Sequence, residues 1–163
     1  MIGGDGDAID RVVGDAFLAL QGSMPEVSLV RTLRARGELI TELTLVALRS
    51  NRVVGHLAMS EVTLDGAQAG GVGLAPVAVA PAEQGRGVGS ELIRASLARA
   101  EVAGWRFVVL LGHERYYPRF GFEPARAHGL TGDYGEHDGW MVCPLGHHSV
   151  PAGHVRYSSA FQG

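Results

Sequence analysis

The sequence predicts an α/β fold, a mixed, twisted sheet flanked by helices, and three observations predict it. Two segments repeat apolar residues at helical spacing. Several short runs of β-forming residues are separated by turn residues. One unit passes from a buried strand through a glycine loop into a helix and on to a second buried strand. Two buried strands joined by one helix are expected to lie parallel at the centre of the sheet, with a right-handed crossover.

The elements follow in order. Ile9, Val12, Val13, Ala16, Phe17 and Leu20 define a first helix, with Asp5 or Asp7 as its cap. A shorter helix is expected with Ser28 as its cap, Leu29, Val30 and Leu33 on its inner face and Gly37 as its stop; Arg31, Arg34 and Arg36 are its solvated side. Thr44 to Arg49 and Arg52 to Val62 read as a hairpin turning at Ser50-Asn51, and Asp65-Gly66 marks another turn. Gly73 to Ala80 is a buried strand that contains Pro76. Proline cannot donate to a ladder, so one side of this strand is expected to be unpaired there.

The clearest helix runs from Val88 to Ala103, with Leu92, Ile93, Ser96, Leu97 and Ala100 inward and Gly104 as its stop. Trp105 to Leu111 is the second buried strand. His113 to Phe120 forms a short helix ending at Gly121. Strands at Gly139 to Cys143 and His154 to Ser158 complete a loop-rich remainder, and residues 1–163 read as a single domain.

Composition narrows the function. With 46% hydrophobic and 19% charged residues the chain is globular, since disorder needs fewer apolar residues and a larger net charge. A net charge of -3 and the lack of a basic block argue against a nucleic-acid partner. The single cysteine, Cys143, cannot form an internal disulfide, which fits a reducing compartment. The start, Met1 to Asp7, is acidic and glycine-rich, unlike a signal peptide, and no apolar run approaches the roughly 20 residues that span a bilayer. A cytoplasmic protein without membrane partners is expected.

The chemistry is concentrated in Val77-Ala78-Val79-Ala80-Pro81-Ala82-Glu83-Gln84-Gly85-Arg86-Gly87-Val88-Gly89, which leads from a buried strand to a helix start. A helix N-terminus presents unpaired N–H groups and the positive end of its dipole, which together attract anions. Glycines at 85, 87 and 89 remove the β-carbons that would hold a phosphate off those groups, and Arg86 adds charge at the rim. A nucleoside-triphosphate loop would need a lysine after the glycines, and none follows. A dinucleotide loop would need a third glycine where Ser90 or Leu92 stands, and an acidic residue where the next strand ends in Leu110-Leu111-Gly112. A plain glycine-rich turn is the bland alternative.

Val79-x-Pro81 followed by Gln84-Gly85-Arg86-Gly87-Val88-Gly89 resembles the acetyl-CoA motif of the GNAT superfamily of N-acetyltransferases, Gln/Arg-x-x-Gly-x-Gly/Ala. Tyr116-Tyr117-Pro118-Arg119-Phe120-Gly121-Phe122 is similar to that family's Tyr-x-x-x-Gly-Phe segment, at the proper separation. The resemblance runs from the first helix to about Pro124, and the tail around His154 to Tyr157 is similar to a subgroup of bacterial acetyltransferases. It implies an α+β fold with a mostly antiparallel sheet around a central parallel pair.

It further implies acetyl-CoA as co-substrate, a small-molecule or peptide amine as acceptor, and allows a homodimer. By motif, main chain at Val77, Ala78 and Val79 binds the pantetheine arm. The amides of Gln84, Gly85, Arg86, Gly87, Val88 and Gly89 hold the diphosphate, Val79 N–H serves the oxyanion, and Tyr117 gives a proton to the departing thiolate. The cofactor strand offers no carboxylate from Leu74 to Ala80, so the base is open among Glu61, His56 through water, and solvent. Without the motif, Tyr116 and Tyr117 read as packing partners of Phe120 and Phe122, and Trp140, Met141 and Tyr157 as core cover or pocket lining. His137, Asp138, Cys143, His147, His148 and His154 have no paired ligand spacing, and no metal is expected. A non-catalytic acyl-CoA-binding protein on the same fold is the main functional alternative, and a dinucleotide-dependent oxidoreductase a distant third.

Overall fold

The computed structural model describes residues 7–13, 25–135 and 137–162. A single mixed sheet organises them: β1 Leu45–Arg49, β2 Arg52–Leu64, β3 Ala67–Val79, β4 Phe107–Leu111, β5 Glu123–Pro124, β6 Leu130–Gly132, β7 Trp140–Pro144 and β8 Gly153–Arg156. The order is β5-β7-β4-β3-β2-β8-β6, with β1 also on β2. Pairing is mostly antiparallel; β3–β4 and β6–β8 are parallel. The helices are α1 (7–13), α2 Pro25–Ala35 and α3 Val88–Val102. Asp5, Ala16, Phe17 and Leu20 of the expected first helix lie outside the described residues.

Local chemistry explains the long strands. Ser50 and Asn51 (φ 51° and 62°) and Asp65 and Gly66 (φ 52° and 81°) are all left-handed, as two-residue hairpin turns require. These turns set the registers Arg49↔Arg52 and Leu64↔Ala67. β3 therefore starts at Ala67 rather than at Gly73 as expected. Its first half, Ala67 to Val72, has few β-formers, and the turn and the β2 ladder impose the strand. Gly71 is needed there because the Phe107 ring occupies the place of a β-carbon. The β2–β3 register slips between Leu57↔Val77 and Met59↔Leu74, where β3 carries one extra residue beside Pro76.

The helices divide between the two faces of the sheet. Leu92, Ile93, Leu97 and Ala100 of α3 pack on Leu57, Val72, Leu74 and Val108. Truncating a leucine in such a core costs about 2–5 kcal/mol. Ser96, fully buried, donates to the Leu43 carbonyl at 2.9 Å. On the other face Ile9, Val12 and Val13 of α1 and Val27 and Val30 of α2 cover Ala78.

One expectation about α2 is corrected. The helix begins at Pro25, whose missing N–H is harmless in a first turn, so Ser28 lies inside it and is not its cap. Its arginines lie on the solvated side as expected, Arg31 and Arg36 exposed and Arg34 partly so, and they also find partners. Arg31 Nε lies 2.7 Å and Arg34 Nη2 3.6 Å from the carboxylate of Asp10, which is only 8% exposed. Arg36 donates to Ser159 Oγ at 2.8 Å. A buried carboxylate requires such partners.

The expected helix from His113 to Phe120 is reduced to one 3-10 turn, Tyr117–Phe120, because Pro118 supplies no amide and disfavours helix in the residue before it. Gly121, at φ 98°, ends the turn.

Candidate active site at the strand fork

The parallel ladder between β3 and β4 joins only Gly71–Gly73 to Phe107–Val109. Past it, β3 continues from Leu74 to Val79 beside β2, while β4 turns away with β7. The strands part, and the edge of β3 that faces the gap has no strand partner among the described residues.

Ladder geometry decides which groups face that gap. Ala80 N–H donates to the Val54 carbonyl at 2.8 Å, so Ala80–Val54 is a hydrogen-bonded pair. In an antiparallel ladder such pairs alternate, which makes Val79↔Gly55 and Val77↔Leu57 the non-bonded pairs. The N–H and C=O of Val77 and Val79 therefore point into the fork, and those of Ala78 point to His56 on β2. Of the three residues assigned to the pantetheine arm, Ala78 has its polar groups turned away.

The glycine loop closes the open end of the fork. After a 3-10 turn at Pro81–Glu83, the Gln84 side-chain amide donates to the Val79 carbonyl at 3.0 Å. Gly85 and Gly87 take φ of 78° and 84°, and a β-carbon on either would meet nothing within 4 Å. Space thus opens directly above this backbone. Gly87 is the N-cap of α3 and no side chain caps the helix, so its first N–H groups are left for a ligand or for water. A cavity of about 370 Å³ fronts them, lined by Val79, Glu83, Gln84, Gly85, Gly87, Val88, Gly89, Ser90 and Tyr116. Arg86 sits at the rim, 3.7 Å from Glu83, whose carboxylate is also held by Arg49 at 2.8 Å.

Across the gap stands Tyr117. Its ring lies against Gly112, the residue after β4, in the place a β-carbon would take. It meets Tyr116 edge-on at 5.1 Å and Phe122 at 5.8 Å. Burial, and secondarily the neighbouring Tyr116, push the Tyr117 hydroxyl up to about 12. Tyr116 packs on Phe120 as expected, with centroids 5.3 Å apart, and it also lines the glycine-loop cavity and bonds Ser90 Oγ at 2.8 Å. Ser90 entered the sequence reading only as a missing glycine. It lies in the first turn of α3 and lines the same cavity.

The remaining candidates fall elsewhere. His56 is fully buried opposite Ala78, with Nδ1 3.0 Å from the Leu45 carbonyl and a pKa lowered by burial to about 4. Glu61 accepts from Gln68 at 3.2 Å and pairs in register with Val72, behind the fork. Trp140 and Met141 are 2% exposed and cover the core; Trp140 Nε1 donates to Tyr157, whose ring lies 2.7 Å from the ideal β-carbon of Gly73.

Residues 10–125 match the model of the acetyltransferase (GNAT) domain family. The chain belongs to the GNAT family. Among the GNAT relatives is the uncharacterized N-acetyltransferase YjhQ of Escherichia coli K12, 38% identical over 105 residues, or 63% of this chain and 58% of that one. The chain thus spans under two thirds of YjhQ. The uncharacterized N-acetyltransferase YhbS of the same strain is 36% identical over 127 residues, covering 77% and 72%. A GNAT acetyltransferase from Brucella melitensis, solved in complex with acetyl-CoA, superposes with a TM-score of 0.84 at 38% identity, over 99% of this chain and 94% of that one. YhbS from Escherichia coli, solved with CoA, gives 0.90 at 31% identity over 100% and 89%. The GNAT chain has no helix among its described residues long and apolar enough to cross a membrane.

Proposed function

We propose that this GNAT chain is an N-acetyltransferase that moves an acetyl group from acetyl-CoA to a primary amine by direct attack. One observation carries the reading: an uncapped, glycine-fronted helix N-terminus opens onto a cavity that also takes in Val79, on a strand edge without a strand partner among the described residues, and Tyr116, the neighbour of Tyr117. Diphosphate on the amides of Gln84 through Gly89 places the pantetheine arm along Val79 and Val77 as an added strand. The thioester then lies deeper in the fork, near Tyr117.

The amine lone pair attacks the thioester carbonyl, and a tetrahedral oxyanion forms. The strand amides facing the fork, Val79 and Val77, are its proposed donors, a role worth about 3 kcal/mol in comparable sites. Collapse breaks the C–S bond, and the proton given up by the amine balances the departing thiolate. Burial widens the gap between Tyr117, at about 12, and a thiol near ~8.5, so full proton donation by the phenol would be uphill by about 5 kcal/mol. Tyr117 acts as a hydrogen-bond donor to the developing thiolate and keeps its proton; the amine's proton leaves to solvent, and the thiolate is released or protonated from solvent.

His56 is enclosed in the core and only weakly basic, and Glu61 lies behind the fork, so the reading takes solvent as the route for the amine's proton. The acceptor is a small-molecule or peptide amine, and the setting is the cytoplasm, in keeping with one buried, unpaired thiol at Cys143. The test is release of CoA thiol from acetyl-CoA with a panel of an alkyl polyamine, an aminoglycoside and a lysine peptide, in wild type and Tyr117→Phe. Turnover that drops in the variant supports the enzyme. CoA binding without transfer to any amine would instead make the chain an acyl-CoA-binding protein.

A further inference from the structure

We propose that Tyr116 is a positioning residue of this site, coupling occupancy of the diphosphate cradle to the placement of Tyr117; the inference rests on the reading above. The Tyr116 hydroxyl and Ser90 Oγ are 2.8 Å apart, and Ser90 belongs to the first turn of α3. The same hydroxyl lies 4.0 Å from the ideal β-carbon of Gly89, at the wall of the glycine-loop cavity. Tyr116 thus reaches from the turn that bears Tyr117 to the helix end that would hold the phosphates.

The turn itself is gathered around Tyr116. Arg119 Nε donates to the Tyr116 carbonyl at 2.8 Å, and its guanidinium lies 4.5 Å over the Tyr116 ring. That ring meets Tyr117 edge-on, with centroids 5.1 Å apart at 80°. A phenol held by backbone, guanidinium and serine has little freedom, and it limits the freedom of the ring packed on it. An anion that immobilises the first turn of α3 immobilises Ser90 with it, and through Tyr116 the Tyr117 turn. Coupling of this kind needs a contiguous contact with differential strength in the two states, and the Ser90–Tyr116 bond is that contact.

The test uses CoA itself and needs no acceptor. Amide hydrogen exchange of residues 117–121 is measured with and without saturating CoA in wild type, Tyr116→Phe, Ser90→Ala and Ser90→Thr, with CoA affinity by calorimetry. CoA is expected to slow exchange in this turn in wild type and in Ser90→Thr, which keeps the hydroxyl. In Tyr116→Phe and Ser90→Ala that slowing, read with each protein saturated by CoA, is expected to fall by about three- to tenfold, the loss of one hydrogen bond. Equal protection in all four proteins overturns the coupling and leaves the transferase reading intact, as does a loss that only tracks weaker CoA binding. Wild type that binds no CoA removes both. Ser90→Ala keeps the test available should Tyr116→Phe fail to fold.

Discussion

Gly73 and Val109 are the last residues that β3 and β4 share in parallel register; beyond them the two strands part. Backbone groups of Val77 and Val79 face that gap from β3, and the ring of Tyr117 lies against Gly112, just past the end of β4.

Gly87→Ala is expected to fold. Its φ of 84° makes an added β-carbon strained, a loss of about 1–2 kcal/mol, although the methyl meets nothing within 4 Å. The methyl projects where a phosphate would sit, so CoA affinity is expected to fall about tenfold, the equivalent of one lost phosphate hydrogen bond. Calorimetric titration with CoA checks this beside a melting curve.

Gly112→Ala separates binding from chemistry. The new methyl takes the space of the Tyr117 ring and forces it away, while the glycine loop is untouched. Acetyl transfer is expected to fall by about 100-fold, the effect of displacing a positioned group by an ångström, with CoA affinity unchanged. Tyr117→Phe is expected to lower kcat by a similar factor. Steady-state kinetics with titration of CoA reads both.

Because Tyr117 is raised to about 12, it remains protonated well beyond the working range. The kcat profile is expected to show no loss from its ionisation up to about pH 10, the ordinary tyrosine pKa. Stability follows the same sign: the neutral folded phenol is favoured below its unfolded pKa, and that contribution disappears as pH rises through the folded value. A descending limb near pH 9 that vanishes in Tyr117→Phe would contradict this.

His56 acts at the other end of the pH scale. Its folded pKa, lowered to about 4, means that the unfolded chain binds more protons below about 6.5, so its stabilising contribution is complete above that pH. Between pH 6.5 and 4 about 3 kcal/mol is expected to be lost. His56→Gln should flatten this part of the stability curve, measured by denaturant titration at several pH values.

Cys143 is buried, and burial, with smaller contributions from Glu123 and Glu101, raises its thiol to about 11. Native protein is expected to resist a thiol reagent at pH 8 and to react fully once unfolded. Rapid native labelling would contradict the burial.

Much of this arrangement was legible in the sequence. The buried face of α3 follows from its apolar spacing, and both hairpin turns follow from Ser50-Asn51 and Asp65-Gly66. The rest depended on partners distant in the chain. The first half of β3 carries little strand signal of its own: Gly71 makes room for the ring of Phe107, and the turn and the β2 ladder impose the strand. The contact of Arg31 and Arg34 with Asp10 joins two helices, and no spacing within either helix records it. Ser90 and Tyr116 meet across 26 residues, and no local pattern records such a bond. Local spacing shows which backbone is free to bind an anion, while long-range packing decides which side chains surround it.

The structure of the chain with acetyl-CoA bound is the most direct measurement. The account predicts diphosphate oxygens on the amides of Gly85, Gly87 and Gly89, the pantetheine arm along Val79 and Val77, and the thioester sulfur beside the Tyr117 hydroxyl. A diphosphate bound away from the start of α3, or a thioester that emerges far from Tyr117, would contradict it.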